Sequence, residues 1–118
     1  MKYSITIEVP TRATDSNKIL GVNKFVKHKI FQEIKRHIYI LTYGKTPEKP
    51  LKSFKLTIVR HGAKTLDYDN LIASFKAYID ALKLSGIIED DSWQYIKSIA
   101  TNQVISKEKK LIILVEEV

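Results

Sequence analysis

The chain has 118 residues, 44% of them hydrophobic and 28% charged, with a formal net charge of +7; this fits one globular domain over residues 1–118 and excludes a disordered chain. No cysteine is present, which excludes disulfides, zinc–thiolate sites, iron–sulfur clusters and thiol catalysis. The longest apolar run, Leu111-Ile112-Ile113-Leu114-Val115, falls far short of the ~20 residues that span a bilayer. The alternating N-terminus has no apolar block of a signal peptide, so a soluble cytoplasmic protein with no membrane partner is expected.

In chain order, Tyr3, Ile5, Ile7 and Val9 alternate with Ser4, Thr6 and Glu8, the period of a half-buried strand ended by Pro10. Thr11–Ser16 reads as a loop, and Ser16 or Asn17 as a helix cap. Residues 18–41 then follow helical spacing. Ile19, Leu20, Val22, Val26, Ile30, Ile34 and Ile38 fill one arc, and Lys24, His28, Lys29, Lys35 and Arg36 fill the other. The helix stops before Gly44, with Tyr39-Ile40-Leu41 as a candidate irregular end. Residues 44–50 read as a loop and 51–60 as a second strand. Residues 61–66 form a loop, and 69–84 a second helix. Its apolar arc is Leu71, Phe75, Ile79 and Leu82, with Ile72 and Tyr78 at the edges, and Gly86 closes it. Residues 93–105 read as a third strand, Lys107–Lys110 as a hairpin turn and 111–116 as the closing strand. The order β-α-β-α-β-β makes an α+β domain with two helices packed on a small mixed sheet.

The charge is uneven. Residues 1–60 carry 13 Lys/Arg against four acids, while residues 61–118 carry seven against nine. A basic half suits a polyanion such as nucleic acid, with Lys-rich solubility as the competing explanation. Lys outnumbers Arg 17 to three, which favours phosphate contact over base readout.

Within the less basic half, Leu66-Asp67-Tyr68-Asp69-Asn70-Leu71 precedes the second helix, and Gly86-Ile87-Ile88-Glu89-Asp90-Asp91-Ser92 follows it. Either acidic cluster alone is explained by helix capping or a turn. Together they suggest a carboxylate site for Mg²⁺, a cation that prefers hard oxygen ligands and relieves repulsion between carboxylates. Lys76 lies on the Asp69 side of the helix, where it either contacts phosphate or pairs with Asp80. The three histidines are dispersed, Gly44-Lys45-Thr46 lacks the upstream glycine of a phosphate-binding loop, and no serine nucleophile elbow occurs. No organic cofactor is expected.

At Asp67-Tyr68-Asp69-Asn70-Leu71, Asp80-Ala81-Leu82, Gly86 and Asp90-Asp91-Ser92 the chain resembles the RusA-type Holliday junction resolvases. Pro10, Ser16-Asn17 and the basic helix from Lys18 match that family more loosely. The resemblance implies a metal-dependent endodeoxyribonuclease of bacterial or phage-infected cells. Such an enzyme resolves four-way DNA junctions as a homodimer by paired symmetric nicks. It implies Asp67, Asp69 and Asp91 as metal ligands for Mg²⁺, with Mn²⁺ as a substitute. The family lysine four residues after the second Asp is Ala73 here, and Lys76, about one turn further along, is the candidate replacement as a catalytic residue. Lys24, Lys27, Lys29, Lys35, Arg36, Arg60 and Lys64 are the expected DNA-backbone contacts. Two rivals stand beside this: a non-catalytic DNA-binding relative that has lost cleavage, and a basic structural protein whose acids only cap helices.

Overall fold

The computed structural model describes the backbone of residues 2–10, 24–65 and 68–118, and the side chains of 2–10, 28–65 and 75–118. The expected Thr11–Ser16 loop, the Ser16 or Asn17 cap and the start of the first helix lie outside the described residues. So do Asp67 and the side chains of Lys24, Lys27 and Asp69.

Strand β1 (Ser4–Pro10) buries Ile5, Ile7 and Val9 and exposes the residues between, as its alternation requires. Helix α1 spans Lys24–Thr42. It stays helical through Tyr39-Ile40-Leu41, which the sequence suggested as an irregular end. Thr42 continues the turn, its hydroxyl donating to the Ile38 carbonyl at 2.7 Å. Strand β2 (Phe54–Gly62) begins three residues later than expected. Leu51 instead makes an isolated parallel bridge to Ile88.

Helix α2 (Tyr68–Leu84) buries Phe75, Ala77, Tyr78, Ala81 and Leu82. Tyr78 is 1% exposed, so it sits at the centre of the buried face rather than its edge, and Ile79 is the half-buried one. The expected stop at Gly86 is observed, with φ +82°. The Ile87 N–H donates to the Leu82 carbonyl at 3.1 Å and the Gly86 N–H to the Lys83 carbonyl at 3.2 Å. These two bonds satisfy carbonyls that the helix end would leave open.

Strand β3 (Ile96–Ile105) starts later than the expected residue 93. The Ser92 carbonyl accepts the N–H groups of both Tyr95 and Ile96, at 3.0 and 3.1 Å, so Trp93-Gln94-Tyr95 form a turn. Strand β4 spans Lys110–Glu117. The four strands lie in the order β1-β4-β2-β3, with β2/β3 parallel and the other pairs antiparallel. The expected β3–β4 hairpin is therefore absent: β2 lies between them. β4 buries Leu111, Ile113 and Val115 on one face and half-buries Ile112 and Leu114 on the other. An inner position with two neighbours suits it. β3 is mostly exposed and takes the edge.

Ile5, Ile7, Val9, Leu56, Ile58 and Phe54 form one core with the inner residues of β4 and with Ile34, Ile38 and the buried face of α2. Each of the Val, Leu, Ile and Phe side chains among them contributes roughly 1.5–3 kcal/mol of burial. β1 and β2 both run antiparallel to β4 and so point the same way. Each is followed by a helix that returns along the sheet. The Tyr3 hydroxyl donates to the Lys45 carbonyl at 2.6 Å, fixing the end of α1 beside the start of β1. Both helices thus end at the same end of the strands, where β1 and β2 begin. No helix among the described residues is long and apolar enough to cross a membrane.

Candidate functional site

The acidic segments occupy opposite ends of α2. Asp69 and Asn70 lie on its first turn, beyond the end of β2. After β2, residues 63–65 are held by Arg60, whose Nη1 donates to the Lys64 carbonyl at 2.8 Å. The guanidinium also covers Gly62, where an added Cβ would come within 3.1 Å of Nη1. Arg60 Nε is buried with no hydrogen-bond partner among the described residues. Arg60, expected to contact DNA, thus folds back onto the loop leading to the first acidic cluster. Lys64 itself is exposed.

At the other end, the segment after Gly86 is pinned by the Leu51–Ile88 bridge and by Leu51 N–H to Ile87 O and Glu89 N–H to Leu51 O, both 2.9 Å. Asp90 Oδ1 accepts the Asp91 N–H at 2.8 Å and lies 3.1 Å from Lys83 Nζ. The Asp91 N–H, and after it the Lys83 ammonium, hold the Asp90 carboxyl below the usual carboxylate range. The bond and charge of Asp90 push the Lys83 ammonium above its usual value. Asp90 is thereby engaged in local structure, while Asp91 is exposed.

The 17 residues of α2 extend about 25 Å at a rise of about 1.5 Å each. Asp69 on the first turn and Asp91 beside the last are therefore not brought together within one chain. Among the described residues, no group of three or more His, Asp or Glu is placed to hold a metal ion.

Lys76 is exposed midway along α2. No ion pair joins it to Asp80 among the described residues. Lys29 and Arg36 are exposed on the outer side of α1, and Lys35 is half-buried facing α2. Two side chains on this face were not singled out from the sequence. Tyr39 and Tyr43 are 58% and 72% exposed, with rings 5.9 Å apart and tilted by 56°. Their spacing of four on the polar side of the helical wheel is the signal that marks them.

No protein-family model matches the chain. No curated protein matches it either.

Proposed function

We propose that this chain is a metal-dependent, structure-selective endodeoxyribonuclease that nicks four-way DNA junctions. The observation that carries the reading is the division of labour at Asp90-Asp91. Asp90 is held by Lys83 and the Asp91 N–H, and the Asp91 side chain beside it is exposed. The donor set, carboxylates alone, suits a hard cation such as Mg²⁺, with Asp67, Asp69 and Asp91 as its holders. Held by those carboxylates, Mg²⁺ would supply polarisation of a phosphoryl oxygen and a lowered pKa for the attacking water. The chain's own part is to bind the polyanion through its basic helix α1, to present Asp91 from the segment that the Asp90–Lys83 contact holds, and to offer Lys76 to the phosphate.

Because α2 separates Asp69 from Asp91, a complete ligand set requires two copies, the first cluster of one beside the second cluster of its partner. A two-fold dimer forms two such sites, one for each of two symmetric nicks. The test is nicking of a synthetic four-way junction with Mg²⁺. Wild-type protein is expected to nick, and Asp91→Asn to bind the junction without nicking. Full nicking by Asp91→Asn removes that residue from the site. Junction binding in EDTA with no nicking in Mg²⁺ identifies a non-catalytic DNA-binding protein instead.

A further inference from the structure

We infer that the cleft between the C-terminal halves of α1 and α2 binds unpaired nucleotides, stacking bases on Tyr39 and Tyr43 and holding their phosphates with Lys35 and Arg36. This rests on the nuclease reading only for the identity of the polyanion as DNA.

At 100° per residue, Lys35, Tyr39, Gln32, Arg36 and Lys29 fall within an arc of about 120° on α1, and Tyr43, in the turn just past the helix, lies with its ring 5.9 Å from that of Tyr39. The helix's one acid, Glu33, lies outside that arc. Cations and exposed aromatic rings thus share one acid-free stripe. The stripe borders a cleft of about 280 Å³ lined by Gln32, Arg36 and Tyr39 from α1 and by Ala81, Leu84 and Ser85 from α2, with Lys35 between. An adjoining space of about 280 Å³ shares Lys35 and Leu84 and reaches Lys83, with Asp80 of α2 also on its wall; the acid-free surface is therefore the α1 side of the cleft. Ala77 and Ala81 contribute little side-chain bulk to the floor, and Leu84, 66% exposed, adds an apolar surface at the rim.

The chemistry of this surface selects its occupant. Tyrosines well over half exposed serve no core. A base presents a π-face that a tyrosine ring can stack on, and its phosphate is the anion that Lys35 and Arg36 complement. In a duplex the base faces are already stacked on one another, so only an unpaired nucleotide offers one to Tyr39. The cleft opens at the end of the strands where Asp90 and Asp91 lie, because both helices end there. Unpaired nucleotides seated here therefore lie on the Asp91 side of the molecule, which suits DNA opened at a branch point.

The experiment measures fluorescence anisotropy of a short labelled oligothymidine with the full chain in EDTA, where no cleavage occurs, beside a duplex of equal length. Tyr39→Ala is expected to weaken oligothymidine binding about tenfold, the loss of one base stack, and to leave duplex binding and the melting temperature unchanged. Tyr39→Phe keeps the ring and is expected to bind as wild type. Arg36→Gln is expected to lower the salt-dependence slope by about one. A 2-aminopurine placed in the oligonucleotide is expected to be quenched by wild type and not by the Tyr39→Ala, Tyr43→Ala double variant.

Oligothymidine affinity that does not respond to either alanine variant overturns the inference, as does an equal loss for duplex. Self-association lost in Tyr39→Ala with oligothymidine binding intact also overturns it, making the face a contact between copies. Failure of the parent reading is a separate result: a wild type that binds oligothymidine as described but never nicks junctions leaves this site standing. A wild type that nicks while its tyrosines are indifferent removes this site alone.

Discussion

Asp90 accepts hydrogen bonds from the Asp91 N–H and lies beside Lys83, and this makes the pair of adjacent acids unequal. The folded Asp90 pKa lies below its unfolded value. The contact therefore favours the folded state at neutral pH and is lost as pH falls from the ordinary carboxylate range through the lower folded value. For Lys83 the shift is upward, so its contribution is present below the ordinary ammonium pKa and is lost as pH rises through the folded value. Since the Asp91 N–H is the largest cause at Asp90, Lys83→Met is expected to return the Asp90 pKa only part of the way, read by carboxyl-carbon NMR titration. A complete return to the ordinary value contradicts the ordering of causes. Lys76 lies midway along α2. It is exposed and has no ion pair with Asp80 among the described residues, so Lys76→Ala is expected to change stability by less than about 0.5 kcal/mol. If it holds the phosphate, single-turnover nicking at saturating enzyme falls sharply while junction affinity stays. Ala73→Lys in the same chain is expected to restore part of the rate.

The end of α2 shows how much of an element its own residues specify. Gly86 at φ +82° has nothing within 4 Å of an added Cβ, so Gly86→Ala is expected to cost about 1–2 kcal/mol from backbone strain alone, measured by denaturant unfolding. Gly62 is different: its Cβ would meet the movable Arg60 guanidinium at 3.1 Å, at a backbone conformation any residue adopts. The cap at Gly86, the alternation of β1 and the helical periods of α1 and α2 were legible because each is a local pattern. The start of β3 was not. Trp93, Tyr95 and Ile96 have strand propensity, but the Ser92 carbonyl holds the N–H groups of Tyr95 and Ile96 in a turn. The short polar link at Lys107–Lys110 signals a hairpin, yet strand pairing is decided by distant partners. β4, apolar on both faces, goes between β1 and β2. At the candidate site, the two acidic clusters were legible as motifs. Their separation depends on the pinning of Ile88 against Leu51, a contact between residues with no local relation.

The backbones of Asp69 and Asp91 lie toward opposite ends of one βαβ unit, so the proposed two-copy site makes a test available that a single-chain site would fail. Asp69→Asn and Asp91→Asn proteins are each expected to be inactive. Mixed and allowed to exchange subunits, they are expected to regain junction nicking, because one of the two shared sites then contains only wild-type carboxylates. No activity in the mixture, with exchange shown by native mass spectrometry, places all three ligands in one chain or none. The sheet order has a different consequence. The register pairs Ser4 with Glu116 and Leu56 with Val115, so β1 has no strand neighbour until β4 exists. Closing so long a stretch of chain costs entropy before any ladder bond returns it. During synthesis the ribosome releases β1, both helices, β2 and β3 before the strand that joins them. Until then Ile5, Ile7 and Val9 lack the neighbour that completes their side of the core. From the synthesis of β1 to that of β4 the nascent chain thus carries an unpaired apolar strand, the state that chaperones recognise.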